Sequence, residues 1–92
     1  MPDTRSARVT ITNKYGLHAR PATDFVTIAQ GFKSEVQVRC NDSEADGKSI
    51  MELMMLAATN GTEIEIRCVG EDAEPCLSRL VALVSRGFDE ED

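Results

Sequence analysis

The chain contains a single histidine, His18, inside the stretch NKYGLHARPATDF, residues 13–25, with Arg20 two positions on and Pro21 directly after it. An imidazole nitrogen with a free lone pair can attack phosphorus or take up a proton near neutral pH. Proline is tolerated in the first turn of a helix. A helix with Pro21 in its first turn therefore places His18, Ala19 and Arg20 at or just before its N-terminus. The first backbone N–H groups there have no internal partner, and the helix dipole adds roughly half a positive charge. Such a terminus binds phosphate, and Arg20 adds a fixed charge with a planar fork of donors suited to phosphate oxygens. Positive surroundings favour the neutral ring, the form with the nucleophilic lone pair. Gly16 lets the preceding loop bend. These residues allow a nucleophile set in a phosphate cradle, an anion site without covalent chemistry, or a surface histidine beside an arginine with no role.

Size and charge narrow the setting. Ninety-two residues make one domain, enough for one modest core. Aromatic residues are 4% with no Trp, so the core must be aliphatic. The formal net charge of −6 argues against a nucleic-acid partner, because phosphate-driven affinity needs a basic surface. No apolar run approaches a membrane span, and the beginning MPDTRSARV lacks the apolar core of a signal peptide. A cytoplasmic protein is expected. Cys40, Cys68 and Cys76 are odd in number and at no metal-ligand spacing, so they read as reduced, partly buried apolar residues. The acidic end, residues 86–92, reads as a frayed, solvated tail.

The elements that would position His18 follow from periodicity. ARVTIT alternates, with Ala7, Val9 and Ile11 on one face, as in a half-buried strand. Ala22, Phe25, Val26 and Ala29 then form a helical stripe, closed by Gly31 as its cap. SEVQVRC alternates through Val36, Val38 and Cys40, and a short polar strand follows around Glu44 to Asp46. Ser49 with Glu52 three residues on fits a capping box, opening a helix that runs to about Thr59. TEIEIRCV is a fourth strand with Ile64, Ile66 and Cys68 inward. Asp72 N-caps a last helix whose buried stripe is Cys76, Leu77, Leu80 and Leu83 or Val84.

The order is β-α-β-β-α-β-α. Every strand has one apolar and one polar face, so all three helices must cover the same side. An antiparallel sheet with short connections results if the strand order is 1-4-2-3. Glu63, Glu65 and Arg67 would then lie on the wet face beside Arg8 and Arg39. The fold class is α+β, a four-stranded open-faced β-sandwich forming one domain over residues 1–92.

GLHARPATDFV closely resembles the active-site signature of the HPr family, histidine-containing phosphocarriers of the bacterial phosphoenolpyruvate:sugar phosphotransferase system. The resemblance extends over nearly the whole chain, through GFKSEVQV, GKSIMELMMLAA, NGTEIEI and GEDA. It implies a monomeric phosphocarrier with no cofactor and no metal, rather than an enzyme: His18 would accept a phosphoryl group on Nδ1 from enzyme I and pass it to an EIIA-type domain. Arg20 and the backbone N–H groups of Ala19 and Arg20 would hold the phosphate. Ile50, Met51 and Met54, on the side of the second helix turned toward the His18 loop, would form an adaptable apolar docking patch, with Leu53 and Leu56 in the core. The alternative is that all these methionines are core.

Ser49 aligns with the serine that HPr kinase/phosphorylase modifies in many members. A phosphate there would meet free N–H groups at a helix start, whereas Glu52, where regulated members often have glycine, would repel it. The plain alternative is an N-cap serine. Two other functions remain open: a regulatory HPr-like module of a nitrogen branch or catabolite control, and a non-covalent anion-binding adaptor. DGKS ends like a phosphate-binding P-loop, but Asp42 replaces the first glycine that motif needs.

Overall fold

The computed structural model of the chain describes residues 3–90. Strand β1 covers Asp3–Thr10, helix α1 Ala19–Gln30, β2 Glu35–Cys40, β3 Ser43–Asp46, α2 Ile50–Met55, β4 Glu63–Gly70 and α3 Ala73–Ser85, followed by a 3-10 turn at Gly87–Asp89. The four strands are antiparallel neighbours in the order β1-β4-β2-β3. The expected open-faced sandwich is the observed fold.

Register explains the two faces of the sheet. Val9 faces Ile64, Val38 faces Ile66 and Val36 faces Cys68. Ile64, Ile66 and Cys68 are buried with Phe25 of α1, Leu53 of α2 and Cys76, Leu80 and Val84 of α3. On the opposite face Glu65 lies between Arg8 and Arg39, and Arg39 also faces Glu44, with an ion pair of 3.1 Å between Arg39 and Glu44. Such exposed pairs contribute at most about 1 kcal/mol each; burial of the inner face carries the stability. Fully burying one aliphatic or aromatic side chain contributes roughly 1.5–3 kcal/mol.

Several local expectations change. The first strand spans Asp3–Thr10 instead of residues 7–12. Ile11 lies beyond it but keeps pairing, its N–H donating to Thr62 O and its carbonyl accepting from Gly61 N, both at 2.8 Å. Gly31 caps α1 from an ordinary helical conformation, φ −74°, so its glycine freedom goes unused. Helix α2 ends at Met55, short of Thr59, because Ala57 turns into the left-handed region at φ +54°. That turn buries Ala58 and aims its carbonyl at the loop before α1.

The capping box at Ser49 forms by half. Ser49 Oγ accepts from Glu52 N at 3.2 Å, while the Glu52 carboxylate accepts from Asp46 N at 3.1 Å rather than from Ser49. Asp72 stands at the start of α3 but its side chain does not cap that helix. Its carboxylate accepts instead from the N–H groups of Lys33 and Ser34 and from the Ser34 hydroxyl, tying the start of β2 to the start of α3. These bonds, the Ser34 hydroxyl first, hold the Asp72 carboxyl below the usual carboxylate range. In the stripe of α3 both Leu83 and Val84 are buried, whereas Leu77 is only half-buried.

The acidic end corrects the largest expectation. From Arg86 to Glu90 the chain is packed, not frayed: Phe88 is 2% exposed. Gly87, Phe88 and Asp89 all have φ between 58° and 66°. A left-handed conformation costs about 1–2 kcal/mol for each non-glycine residue, which burial of the Phe88 ring offsets by roughly 1.5–3 kcal/mol. Residues 91 and 92 of the expected tail lie outside the described residues.

Candidate functional site

The loop that delivers His18 is fixed by polar contacts from three directions. Asn60 Nδ2 donates to the carbonyls of Thr12 and Asn13 at 3.0 and 3.2 Å. Asn13 is buried, and its Nδ2 donates to Gly16 O at 2.8 Å, bending the loop onto itself. Leu17 N–H donates to Ala58 O at 2.9 Å. Gly16 has φ +65°, and a Cβ there would lie 2.2 Å from Ala58 O. No other residue fits such an approach.

His18 is the N-cap of α1, with extended backbone at φ −81° and ψ −173°. Its carbonyl accepts the first helical bond, from Ala22 N at 3.0 Å. Among the described residues, no side chain caps this terminus. The N–H groups of Ala19 and Arg20, the first helical residues, therefore have no intrahelical partner, and Pro21, third in the helix, has no N–H to offer. The start of α1 thus brings together uncapped N–H groups, the imidazole at the N-cap and the exposed Arg20 one residue inside.

The ring of His18 is partly exposed, its side chain at 39%. Tyr15 meets it edge-on with centroids 6.1 Å apart, and Lys14 Nζ lies 5.3 Å from the Tyr15 ring centre. Both carboxylate oxygens of Glu90 lie 3.0 Å from Nε2. Asn13 Nδ2 donates to the same carboxylate at 2.9 Å. The His18 ring, then the Asn13 amide and the nearby charge of Arg20, hold the Glu90 carboxyl below the usual carboxylate range. The surroundings of the ring are therefore not purely positive, as the residue types around it suggest.

Glu90 and Asn13 are the members of this site that sequence reading missed. Glu90 lies 72 residues from His18 within a run of acids that reads as solvated. Only the preceding Gly87–Phe88 pair, a flexible residue followed by a large apolar one, hints at an anchored turn.

Ser49 and the apolar residues lie on α2. Ser49 is half-buried, bonded to its own helix, with the Asp46 and Glu52 carboxylates at neighbouring backbone N–H groups. Ile50 is 38% exposed, Met51 73% and Met54 43%, and Met55 joins them at 76%. The four line one shallow apolar depression. Leu53 is fully buried and Leu56 half-buried, so the helix separates core from surface as the sequence indicates. The connection after α2 touches the His18 loop through Ala58.

Residues 5–86 match the family model described as PTS HPr component phosphorylation site. The chain is 49% identical over 82 residues to the phosphocarrier protein HPr of Neisseria meningitidis, an alignment covering 89% of this chain and 92% of that one. The crystal structure of HPr-C-His from Thermoanaerobacter tengcongensis superposes with a TM-score of 0.91 at 36% identity, covering 96% and 99% of the two chains. Crh of Bacillus subtilis, a catabolite repression protein whose structure is a swapped dimer, gives a TM-score of 0.74 at 40% identity, covering 86% and 91%.

Proposed function

Because the chain belongs to the HPr family of phosphotransferase-system phosphocarriers, we propose that it accepts a phosphoryl group on Nδ1 of His18 from phosphorylated enzyme I. It then donates that group to an EIIA-type domain, acting in the cytoplasm as a stoichiometric, monomeric carrier rather than a turnover enzyme. The lone pair of Nδ1 attacks phosphorus, a P–N bond forms, and the bond to the donor breaks with its electron pair leaving on the donor. Arg20 and the N–H groups of Ala19 and Arg20 hold the oxygens of the group in transfer. The observation that carries this reading is the uncapped start of α1 directly behind His18. Charge-assisted bonds of this kind are worth about 1.5–3 kcal/mol each. That range suits a site which must hold phosphate and release it again.

Ile50, Met51 and Met54, with Met55 beside them, are the proposed docking patch. Unbranched, polarisable methionine adapts to more than one partner. Ser49 is the proposed regulatory position, modified by HPr kinase/phosphorylase. A phosphate there would place charge beside the patch and would displace the bond from Glu52 N, against the repulsion of the Asp46 and Glu52 carboxylates. The test of the carrier reading is a relay: enzyme I, phosphoenolpyruvate and this protein are mixed, and label is followed onto an added EIIA domain. Label reaching EIIA only when the protein is present supports the relay; label that stays on enzyme I refutes it. Light scattering on the purified protein checks the monomer.

The likeness to Crh, described as a catabolite repression protein, favours one second reading. The same fold would act as a regulatory HPr-like module, in catabolite control or a nitrogen branch, through its phosphorylation state and the α2 patch. Phosphorylation at His18 without onward transfer to any EIIA domain would select it.

A further inference from the structure

We propose that Glu90 is a positioning residue for phosphoryl transfer, fixing the tautomer of His18 and balancing the charge that its ring gains. The inference rests on the carrier reading above and assigns a role to a residue from the far end of the chain. An ionised carboxylate can only accept hydrogen bonds, and both of its oxygens lie 3.0 Å from Nε2. The proton of the neutral ring is therefore held on Nε2, and the lone pair is left on Nδ1. When Nδ1 attacks phosphorus, the new P–N bond takes that lone pair and the donor's bond breaks onto the donor. The ring keeps its Nε2 proton and becomes a cation. A carboxylate already in contact with Nε2–H stabilises that cation more than it stabilises the neutral ring, which is the condition for lowering a barrier.

The carboxylate is itself held. Asn13 Nδ2 donates to Oε1 at 2.9 Å, and the Asn13 amide is anchored in turn on Gly16 O. The Glu90 side chain is 13% exposed, against 39% for His18, so the contact is the less screened part of the site. The buried Phe88 and the Gly87 turn packed against Thr12 and Asn13 bring it there. Among the described residues, Glu90 contacts the ring at Nε2, and Arg20, the second residue of α1, acts on the Glu90 carboxylate through its charge. The two divide the labour: Arg20 serves the phosphoryl oxygens and Glu90 serves the ring.

The test uses full-length wild type, Glu90→Ala and Glu90→Gln. Nitrogen-15 shifts of the His18 ring, measured without any partner above the pH at which the ring is protonated, are expected to report protonated Nε2 in wild type. A mixture of tautomers is expected in Glu90→Ala. With phosphoenolpyruvate and enzyme I, Glu90→Ala is expected to be phosphorylated roughly tenfold more slowly, the loss expected for one charge-assisted bond. Glu90→Gln, whose side-chain oxygen can still accept from Nε2–H, is expected to keep the tautomer but not the full rate. An unchanged tautomer together with an unchanged rate in Glu90→Ala overturns the inference while leaving the carrier reading standing. Failure of wild type to be phosphorylated, with Nε2 protonated as described, instead removes the carrier reading.

Discussion

His18 and Arg20 share one helix end, but they could be recognised in the sequence for different reasons. A single imidazole ahead of a proline is conspicuous because a helix start supplies anion-binding N–H groups regardless of the rest of the fold. Arg20 gains meaning only from standing within that first turn. Since its side chain is exposed, Arg20→Ala is expected to slow phosphoryl transfer by about tenfold or more, from the loss of charged hydrogen bonds, with no change in unfolding midpoint. Steady transfer rates combined with a large loss of stability would show that Arg20 is structural instead. Glu90 could not be found the same way. Its partner lies 72 residues earlier, and a lone glutamate in an acidic run carries no local pattern that distinguishes a ligand of His18 from a solvated charge.

Among the elements, those with strict alternation were the most legible. Ile64, Ile66 and Cys68 point inward because strand period leaves them no other face, and β4 lies between β1 and β2, antiparallel to both. Ends of elements were less legible. Nothing in LAATNG marks Ala57 as left-handed, a conformation usually left to glycine or asparagine, and so α2 stops short of Thr59. Its exposed side was less legible, because spacing alone left core burial open for Ile50, Met51 and Met54 and the family resemblance supplied the patch. Met51 is 73% exposed, so Met51→Glu is expected to leave the fold intact and to weaken binding to enzyme I, measured by calorimetry. Undiminished affinity would remove the patch from the docking surface. The turn at Gly87–Asp89 invites a second substitution. Phe88→Ala is expected to lower stability by about 3 kcal/mol or less, because unfolding of the chain end alone limits the loss. The shifts of the His18 ring should change with it; an unaltered ring would mean that Phe88 does not hold Glu90 in place.

In the molecule as a whole, two carboxyls far apart in sequence respond to acid in the same direction. Asp72 is held below its ordinary pKa by the Ser34 hydroxyl and the Lys33 and Ser34 N–H groups, and Glu90 by the His18 ring and Asn13. A carboxyl with a lowered folded pKa stabilises the native state fully above its unfolded value, and that stabilisation disappears as pH falls through the folded value. The protein should therefore lose stability below about pH 4, where unfolded carboxyls begin to protonate. Asp72→Asn is expected to be less stable than wild type near neutrality, with the gap closing at low pH in urea titrations. A gap independent of pH would show that the Asp72 charge is not the source. Asp72 joins β2 to α3, and Glu90 joins the end of the chain to the start of α1. Both links therefore hold in place the helices that cover the sheet. Neither was visible as a local motif, because each depends on residues brought together only by the finished topology.

The most direct test of phosphoryl transfer through His18 is intact-protein mass spectrometry after incubation with phosphoenolpyruvate and enzyme I, comparing wild type with His18→Ala. The ring is exposed enough that its removal should leave the fold in place. One acid-labile phosphate on wild type and none on His18→Ala is the expected result. A phosphate retained by His18→Ala, or none on wild type with an enzyme I shown to be active on another HPr, would contradict it.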